Sequence, residues 1–164
     1  MALDTTTGAA TAEAYTSVAD ATSYHVNRGN AAWASLTTAQ MEQSLRKATD
    51  YMGSTYGGSW AGVRTNSIQA LDWPRYNVVA FGYVVASDSI PTRVQWACAE
   101  LALRAAAGDL LADQERGVVS ETIGPISTTY DTSSPQAKRY PAVDRMLAPY
   151  LSGLSGVNVG LVRA

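Results

Sequence analysis

Cysteine and histidine are almost missing from the sequence, which holds one of each, Cys98 and His25, among 164 residues. A single cysteine excludes an intramolecular disulfide. One cysteine and one histidine also cannot form a structural zinc site, because such a site uses four nitrogen or sulfur ligands. The fold must therefore be stabilised by an apolar core, and a chain of this length can bury roughly 70% of the surface that it exposes when unfolded.

Charge and long hydrophobic runs are scarce as well. Charged residues make up 16% of the chain, whereas about 25% is typical of soluble domains. No run approaches the roughly 20 apolar residues of a transmembrane helix, so we expect no membrane partner. The net charge of −2 argues against broad electrostatic binding of nucleic acid. A surface with so little charge is often covered by partners, and we expect the same here.

Capping signals and periodicity predict two helices in the first third of the chain. The first helix begins at a capping sequence whose first residue is Ser17, and this helix stops at Gly29. The second begins at Thr37, which stands in the N-cap to N3 relation to Gln40, and ends before Gly57. Apolar residues then recur along one face of this second helix, as expected for a helix that packs on a core.

Two more helices are predicted further along. Pro91 suits the first turn of a third helix, which ends at Gly108. This helix is rich in alanine, so it should pack closely against its neighbours at the centre of the domain. A short fourth helix starts at Pro141, with Val143 and Leu147 facing inwards.

The segments between these helices lack helical periodicity. Residues 57–89 form a long connection, and long connections in compact domains are usually functional or held in place by other groups. Residues 118–130 carry β-forming residues around Gly124 and Pro125, which predicts a β-hairpin or an extended arm.

We therefore predict a mainly α fold, a small helical bundle of three main helices and a short fourth, with a β-hairpin or extended arm and extended termini. The chain is expected to be a single domain over residues 1–164. Within it we predict a flexible N-terminal arm over residues 1–14, a core over 15–151 and a C-terminal tail over 152–164.

Residues that could carry chemistry are sparse. Cys98 falls on the predicted core face of the third helix, where a thiol normally behaves as a small apolar side chain, and His25 is expected to be a surface or hydrogen-bonded histidine. Asp109, Asp113 and Glu115 are better explained as a solvated segment after a helix than as a metal or acid–base site. Phosphate-binding loops, dinucleotide fingerprints and nucleophile elbows are absent from the sequence. We expect no catalytic residue, no cofactor and no metal, and hence no enzyme.

Aromatic and basic residues alternate in the long connection, and this pattern has three explanations. The tryptophan rings could fix the loop to the domain, anchor a protein interface, or stack the bases of a nucleic acid; the acidic net charge argues against the third. We predict partner contacts for the loop between Trp60 and Tyr83 and for the apolar tail. The predicted contact residues are Trp60, Arg64, Trp73, Arg75, Tyr83, Val157, Val159, Leu161 and Val162.

Several short strings together resemble a family of tailed-phage proteins. They are YTSVADA (15–21), RGN (28–30) with Trp33, RKATDY (46–51), QALDWPR (69–75), IP (90–91), ELA (100–102), GPI (124–126) and YPAVD (140–144). The resemblance covers about residues 15–150. The family goes under two names: head–tail connector, also called adaptor or head-completion protein, and DnaT-like single-stranded-DNA-binding protein.

The resemblance implies a structural virion protein without a catalytic residue. It implies a homo-oligomeric ring, commonly dodecameric, that sits in the phage neck between the portal protein and the next neck or tail protein. Such a ring extends the DNA channel and would serve in viral genome packaging, with DNA only as cargo that passes through the channel. The subunit would be made in the bacterial host cytoplasm. We take the connector as the predicted function, because low charge and small residues suit a ring subunit; the alternative is a single-stranded-DNA-binding accessory protein of phage replication.

Overall fold

A computed structural model describes residues 2–111, 120–123, 126–129 and 138–152 of the chain. The helices in these ranges are α1 (Val18–Val26), α2 (Ala31–Ala34), α3 (Thr38–Tyr56), α4 (Thr92–Ala107) and α5 (Pro141–Leu147), with 3-10 turns at Gly57–Ser59 and Ala148–Tyr150. The strands are β1 (Val63–Arg64), β2 (Arg75–Tyr76), β3 (Val79–Ala80), β4 (Tyr83–Val84), β5 (Ser120–Ile123) and β6 (Ile126–Thr129). The predicted mainly α fold is confirmed.

The caps of α1 and α3 form as the sequence predicts. The Ser17 side chain accepts a hydrogen bond from the Asp20 amide and starts α1. At α3 the Thr37 hydroxyl accepts from the Gln40 amide at 3.3 Å, while the Thr37 amide donates to the Gln40 side chain at 2.9 Å. These reciprocal bonds satisfy amides that lack a partner within the helix.

The helix α2 is an element that the sequence does not predict. It is four residues long, so it is too short to show helical periodicity. Its function in the fold is to carry Trp33 into the core, where the side chain is fully buried and its indole donates to the Thr22 hydroxyl.

Helix α4 lies at the centre of the bundle, as its alanine-rich sequence predicts. It begins after Pro91, ends at Gly108, and contacts α1, α3 and α5. Its contact with α3 is the most extensive between two helices in the described ranges. The buried face includes Val94, Cys98 and Leu101, and the small alanines between them allow the helices to approach closely.

The strands form three antiparallel pairs, β1 with β2, β3 with β4, and β5 with β6. The β5–β6 pair is the predicted hairpin; Gly124 and Pro125, between its strands, lie outside the described residues. The other two pairs lie in the connection over residues 57–89. They were not predicted because strands of two residues are too short to show an alternating pattern.

The N-terminal segment lies against the domain, whereas the sequence predicts a flexible arm over residues 1–14. The Asp4 carbonyl accepts the Glu13 amide at 2.7 Å, and the Glu13 carboxylate pairs with Arg46 at 2.8 Å. Ala14 is fully buried. The Glu13–Arg46 pair joins residues far apart in the sequence, so local composition does not indicate it.

The C-terminal prediction falls beyond the part of the chain that the structure describes. Val157, Val159, Leu161 and Val162 all lie in residues 153–164, outside the described residues, as do Asp113 and Glu115. Within the described ranges, no helix combines the length and the apolar character that a membrane-spanning segment requires.

Candidate functional site

Two of the predicted contact residues, Trp60 and Trp73, belong to the core. Their rings meet edge to face at 5.7 Å, and Trp73 makes a second edge-to-face contact with Tyr150, also at 5.7 Å. Both tryptophans are buried. Of the three explanations for the alternating pattern, this packing corresponds to the first, in which the rings fix the loop to the domain.

A third predicted contact residue, Arg75, is also buried and supports the loop from inside. Its guanidinium donates to the carbonyls of Ala61 and Gly62, both at 2.8 Å, and to that of Asp72 at 3.1 Å. Burial lowers the pKa of the Arg75 guanidinium, but arginine stays protonated in proteins. All of its charge is directed at the backbone, so it is not available to a partner in this arrangement.

Gln69 holds the remainder of the loop together. Its side-chain amide donates to the carbonyls of Leu71 at 2.8 Å and Pro74 at 3.1 Å, and its side-chain oxygen accepts from Thr65. The Arg64 guanidinium also donates to the Gln69 carbonyl. The polar network around the buried Gln69 side chain thus holds the long connection in place. Arg64, which takes part in this network, is itself exposed on the surface.

The β3–β4 hairpin carries the most exposed aromatic side chains of the connection. Tyr83 is 79% exposed and Phe81 is 59% exposed. The guanidinium of Arg93, on α4, lies 4.6 Å from the centre of the Phe81 ring. Tyr83 was predicted to contact a partner, whereas Phe81 and Arg93 were missed because they come together only in the fold.

A second pairing of arginine with aromatic rings lies between α1 and α4. The Arg28 guanidinium sits 3.6 Å above the Tyr24 ring and 5.1 Å from the centre of the Trp96 ring. Burial, together with the hydrogen bond that Tyr24 donates to Glu100 at 2.9 Å, raises the pKa of Tyr24 to about 12. The Tyr24 hydroxyl therefore stays protonated, and its hydrogen bond to Glu100 holds the Tyr24 ring against α4.

The two pairings share one face of α4. Arg93 and Trp96 are three residues apart on that helix, and residues at this spacing are neighbours on the helix surface. We call the five side chains of these two pairings the aromatic–arginine surface. They are Tyr24, Arg28, Phe81, Arg93 and Trp96. Alternating rings and guanidinium groups suit the stacking of bases and the contact of phosphates.

The residues first considered for catalysis have structural partners. Nε2 of His25 lies 3.0 Å from the Ala99 carbonyl, and Nδ1 lies 3.0 Å from the Asn30 side-chain amide. His25 is thus a buried, hydrogen-bonded histidine. Cys98 is buried as predicted, and burial raises the pKa of its thiol to about 11. Among the described residues, no cluster of histidine, cysteine, aspartate or glutamate has the arrangement of a metal site.

One of the comparisons with known proteins found a match. A family model described as "Putative DnaT-like ssDNA binding protein" matches residues 1–164. No curated protein and no solved structure matches the chain significantly. The matched description names single-stranded DNA binding and does not mention a connector, so the match does not support the head–tail connector assignment.

Proposed function

The chain belongs to the family described as putative DnaT-like single-stranded-DNA-binding proteins, and from this we propose that it binds single-stranded DNA. The observation that carries the proposal is the match of the family model over all 164 residues. It favours the second of the two functions considered from the sequence. The portal-binding connector, which was the preferred prediction, becomes the second candidate.

The aromatic–arginine surface is the part of the described chain that fits this function best. Stacking of a base on an aromatic side chain contributes about 1–3 kcal/mol as measured by alanine substitution. Arg28 and Arg93 each lie against an aromatic ring, so their guanidinium groups are placed to contact the phosphates beside bases that stack there.

The low charge of the molecule limits the electrostatic contribution to its affinity for a single strand. The net charge is −2, and the aromatic–arginine surface holds two arginines, Arg28 and Arg93. With two phosphate contacts, the logarithm of affinity should fall with the logarithm of salt with a slope of about −1.4. We therefore propose binding that depends on stacking more than on charge.

Replacing Arg93 tests whether this surface is the binding site. We expect Arg93→Ala to weaken binding to a fluorescently labelled oligonucleotide and to make the salt slope shallower by about 0.7, the value for one phosphate contact to a single strand. Fluorescence anisotropy titrations at several salt concentrations measure both quantities.

The control for Arg93→Ala is Arg145→Ala, which removes the same charge from an exposed position on α5 outside this surface. Arg145→Ala should change neither the affinity nor the salt slope. Equal losses in the two variants would contradict the assignment, because they would show that only the total charge matters.

A head–tail connector is the second candidate, and one observation favours it. The β3–β4 hairpin exposes Val79, Phe81, Tyr83 and Val84 together, and exposed apolar clusters of this kind often mark protein interfaces. In a ring built from one chain, such a patch would meet a different patch on the next copy. The dodecameric ring, the portal and the downstream neck or tail protein belong to this candidate as partners.

Sedimentation separates the two candidates. The labelled chain is run alone, with a single-stranded oligonucleotide, and with portal rings from the same source. Comigration with the portal near the ring stoichiometry, insensitive to salt, would favour the connector. Salt-sensitive comigration with the oligonucleotide and none with the portal is the result that our proposal predicts.

A further inference from the structure

A cleft of about 270 Å³ opens between α1 and the first half of α4. Trp96 and Tyr24 form part of its lining with Arg28, and the polar side chains of Asp20, Asn27 and Gln95 also line it. Pockets for drug-sized ligands measure about 300–1,000 Å³. A cleft slightly below that range suits a ligand of the size of one planar base.

Trp96, which lines this cleft, is far more exposed to solvent than the other three tryptophans. Trp96 is 38% exposed, whereas Trp33, Trp60 and Trp73 are at most 4% exposed. An indole that contributes little to the core and faces a cleft provides a flat apolar face for stacking. The Arg28 guanidinium lies over the indole ring, 5.1 Å from its centre, and adds a planar cation to the cleft.

The charges around the cleft favour a neutral base over a phosphate. Arg28 is the cation in the lining, and the Asp20 carboxylate is the opposing charge. That carboxylate already accepts a hydrogen bond from the Ser17 hydroxyl at 2.6 Å. A carboxylate repels a phosphate but accepts hydrogen bonds from the N–H groups on a base edge.

We propose that this cleft binds one unpaired base of a single strand, stacked on Trp96, with its polar edge towards Asp20, Asn27 and Gln95. The Gln95 amide donates one N–H group to the Ile90 carbonyl at 3.3 Å. Its second N–H group and its oxygen, together with the side-chain amide of Asn27, can pair with either kind of group on a base edge. This inference rests on the proposed function and adds a location and a chemical class of ligand to it.

Tryptophan fluorescence of the full chain tests the proposal. Because Trp96 is the exposed tryptophan, stacking of a base on it should quench the emission. The probe is a thymidine oligonucleotide of roughly 16 nucleotides, the upper site size of comparable single-strand binders. An abasic strand with the same number of phosphates is the control. We expect quenching by the first and none by the second; equal quenching by both would overturn the proposal.

Variants at Trp96 give an independent measurement with a labelled thymidine oligonucleotide. Trp96→Ala should raise the dissociation constant roughly 5- to 140-fold, and Trp96→Phe, which keeps an aromatic face, should raise it less. Tyr76→Ala is the matched control, because Tyr76 is 42% exposed but lies outside the cleft. It should leave the dissociation constant unchanged.

Two outcomes distinguish a wrong assignment of the cleft from a wrong proposed function. If the unmodified chain binds the oligonucleotide and Trp96→Ala binds it equally well, the cleft is not the base site, while single-strand binding stands. If the unmodified chain binds no oligonucleotide at low salt, both the proposed function and the cleft are refuted.

Discussion

At the scale of single residues, Arg75 explains why alternating tryptophan and arginine misled the sequence-based assignment of contacts. Its guanidinium bonds three backbone carbonyls inside the loop, and Trp73 beside it is buried. Aromatic and basic residues in such a segment can serve the interior or a partner equally well. Spacing alone does not distinguish these cases, because a loop has no fixed period that would relate spacing to side-chain direction.

Replacing Arg75 should therefore destabilise the fold. We expect Arg75→Ala to lower the free energy of unfolding by at least about 3 kcal/mol, because a hydrogen bond to a charged group contributes about 1.5–3 kcal/mol. Arg75→Lys should also be destabilising, since an ammonium group lacks the planar fork that reaches three carbonyls. Urea denaturation measures the change. A loss below about 0.5 kcal/mol, typical of surface substitutions, would contradict the structural function of Arg75.

His25 gives a prediction on pH. Burial lowers the pKa of its imidazole below the ordinary value, so the folded chain favours the neutral ring. The unfolded chain then binds the proton more readily, and the free energy of unfolding should fall as the pH drops below about 6.5. The chain has no other histidine. Urea denaturation at pH 7.5, 6.5 and 5.5 checks this, and a constant or rising stability across that series would contradict it.

At the scale of elements, the long helices were predictable and the short strands were not. The capping box of Thr37 and Gln40, Pro91 before α4 and Pro141 at the start of α5 all mark helix starts in the structure. Each of these signals lies within four residues of the helix start that it marks. The β3–β4 hairpin has no such signal, because its turn is formed by Phe81 and Gly82 with φ of 55° and 82°, whereas Asn-Gly or Asp-Gly is the usual indicator of this turn.

The turn geometry of this region can be tested with a matched pair of glycines. Gly62 and Gly82 both have left-handed backbones, with φ of 69° and 82°. A Cβ at Gly62 would clash with the Tyr76 carbonyl oxygen, whereas a Cβ at Gly82 would meet nothing within 4 Å.

We expect Gly82→Ala to lower the free energy of unfolding by about 1–2 kcal/mol, the cost of a left-handed alanine. Gly62→Ala should lower it by at least about 2 kcal/mol more, because the methyl group meets the backbone of β2. Denaturation of the two variants side by side gives the difference. Equal losses would show that the contact between Gly62 and β2 is not as close as described.

At the scale of the whole molecule, the candidate site could be predicted only in part. Tyr83 and Arg64 were expected to face a partner, and both are on the surface. The aromatic–arginine surface was missed because its members come from α1 and the turn after it, from the β3–β4 turn and from α4. More than 50 residues separate Arg28 from Phe81 in the sequence. A pattern in sequence does not show residues that only the packing of three elements brings together.

The low overall charge also has a different meaning once the fold is known. From composition, the net charge of −2 argued against nucleic acid, and the low share of charged residues argued for a ring subunit. In the structure, Arg28 and Arg93 lie against aromatic rings beside α4, so total charge is a poor guide to local binding. The family match and this face together favour stacking of a single strand.

The most direct test of single-strand binding compares the two forms of one DNA sequence. Fluorescence anisotropy of a labelled oligonucleotide is followed as the full chain is added at low salt, first as a single strand and then annealed to its complement. We predict binding to the single strand, weaker binding to the duplex, and a salt slope no steeper than about −2. No anisotropy change with the single strand, or equal affinity for both forms, would contradict it.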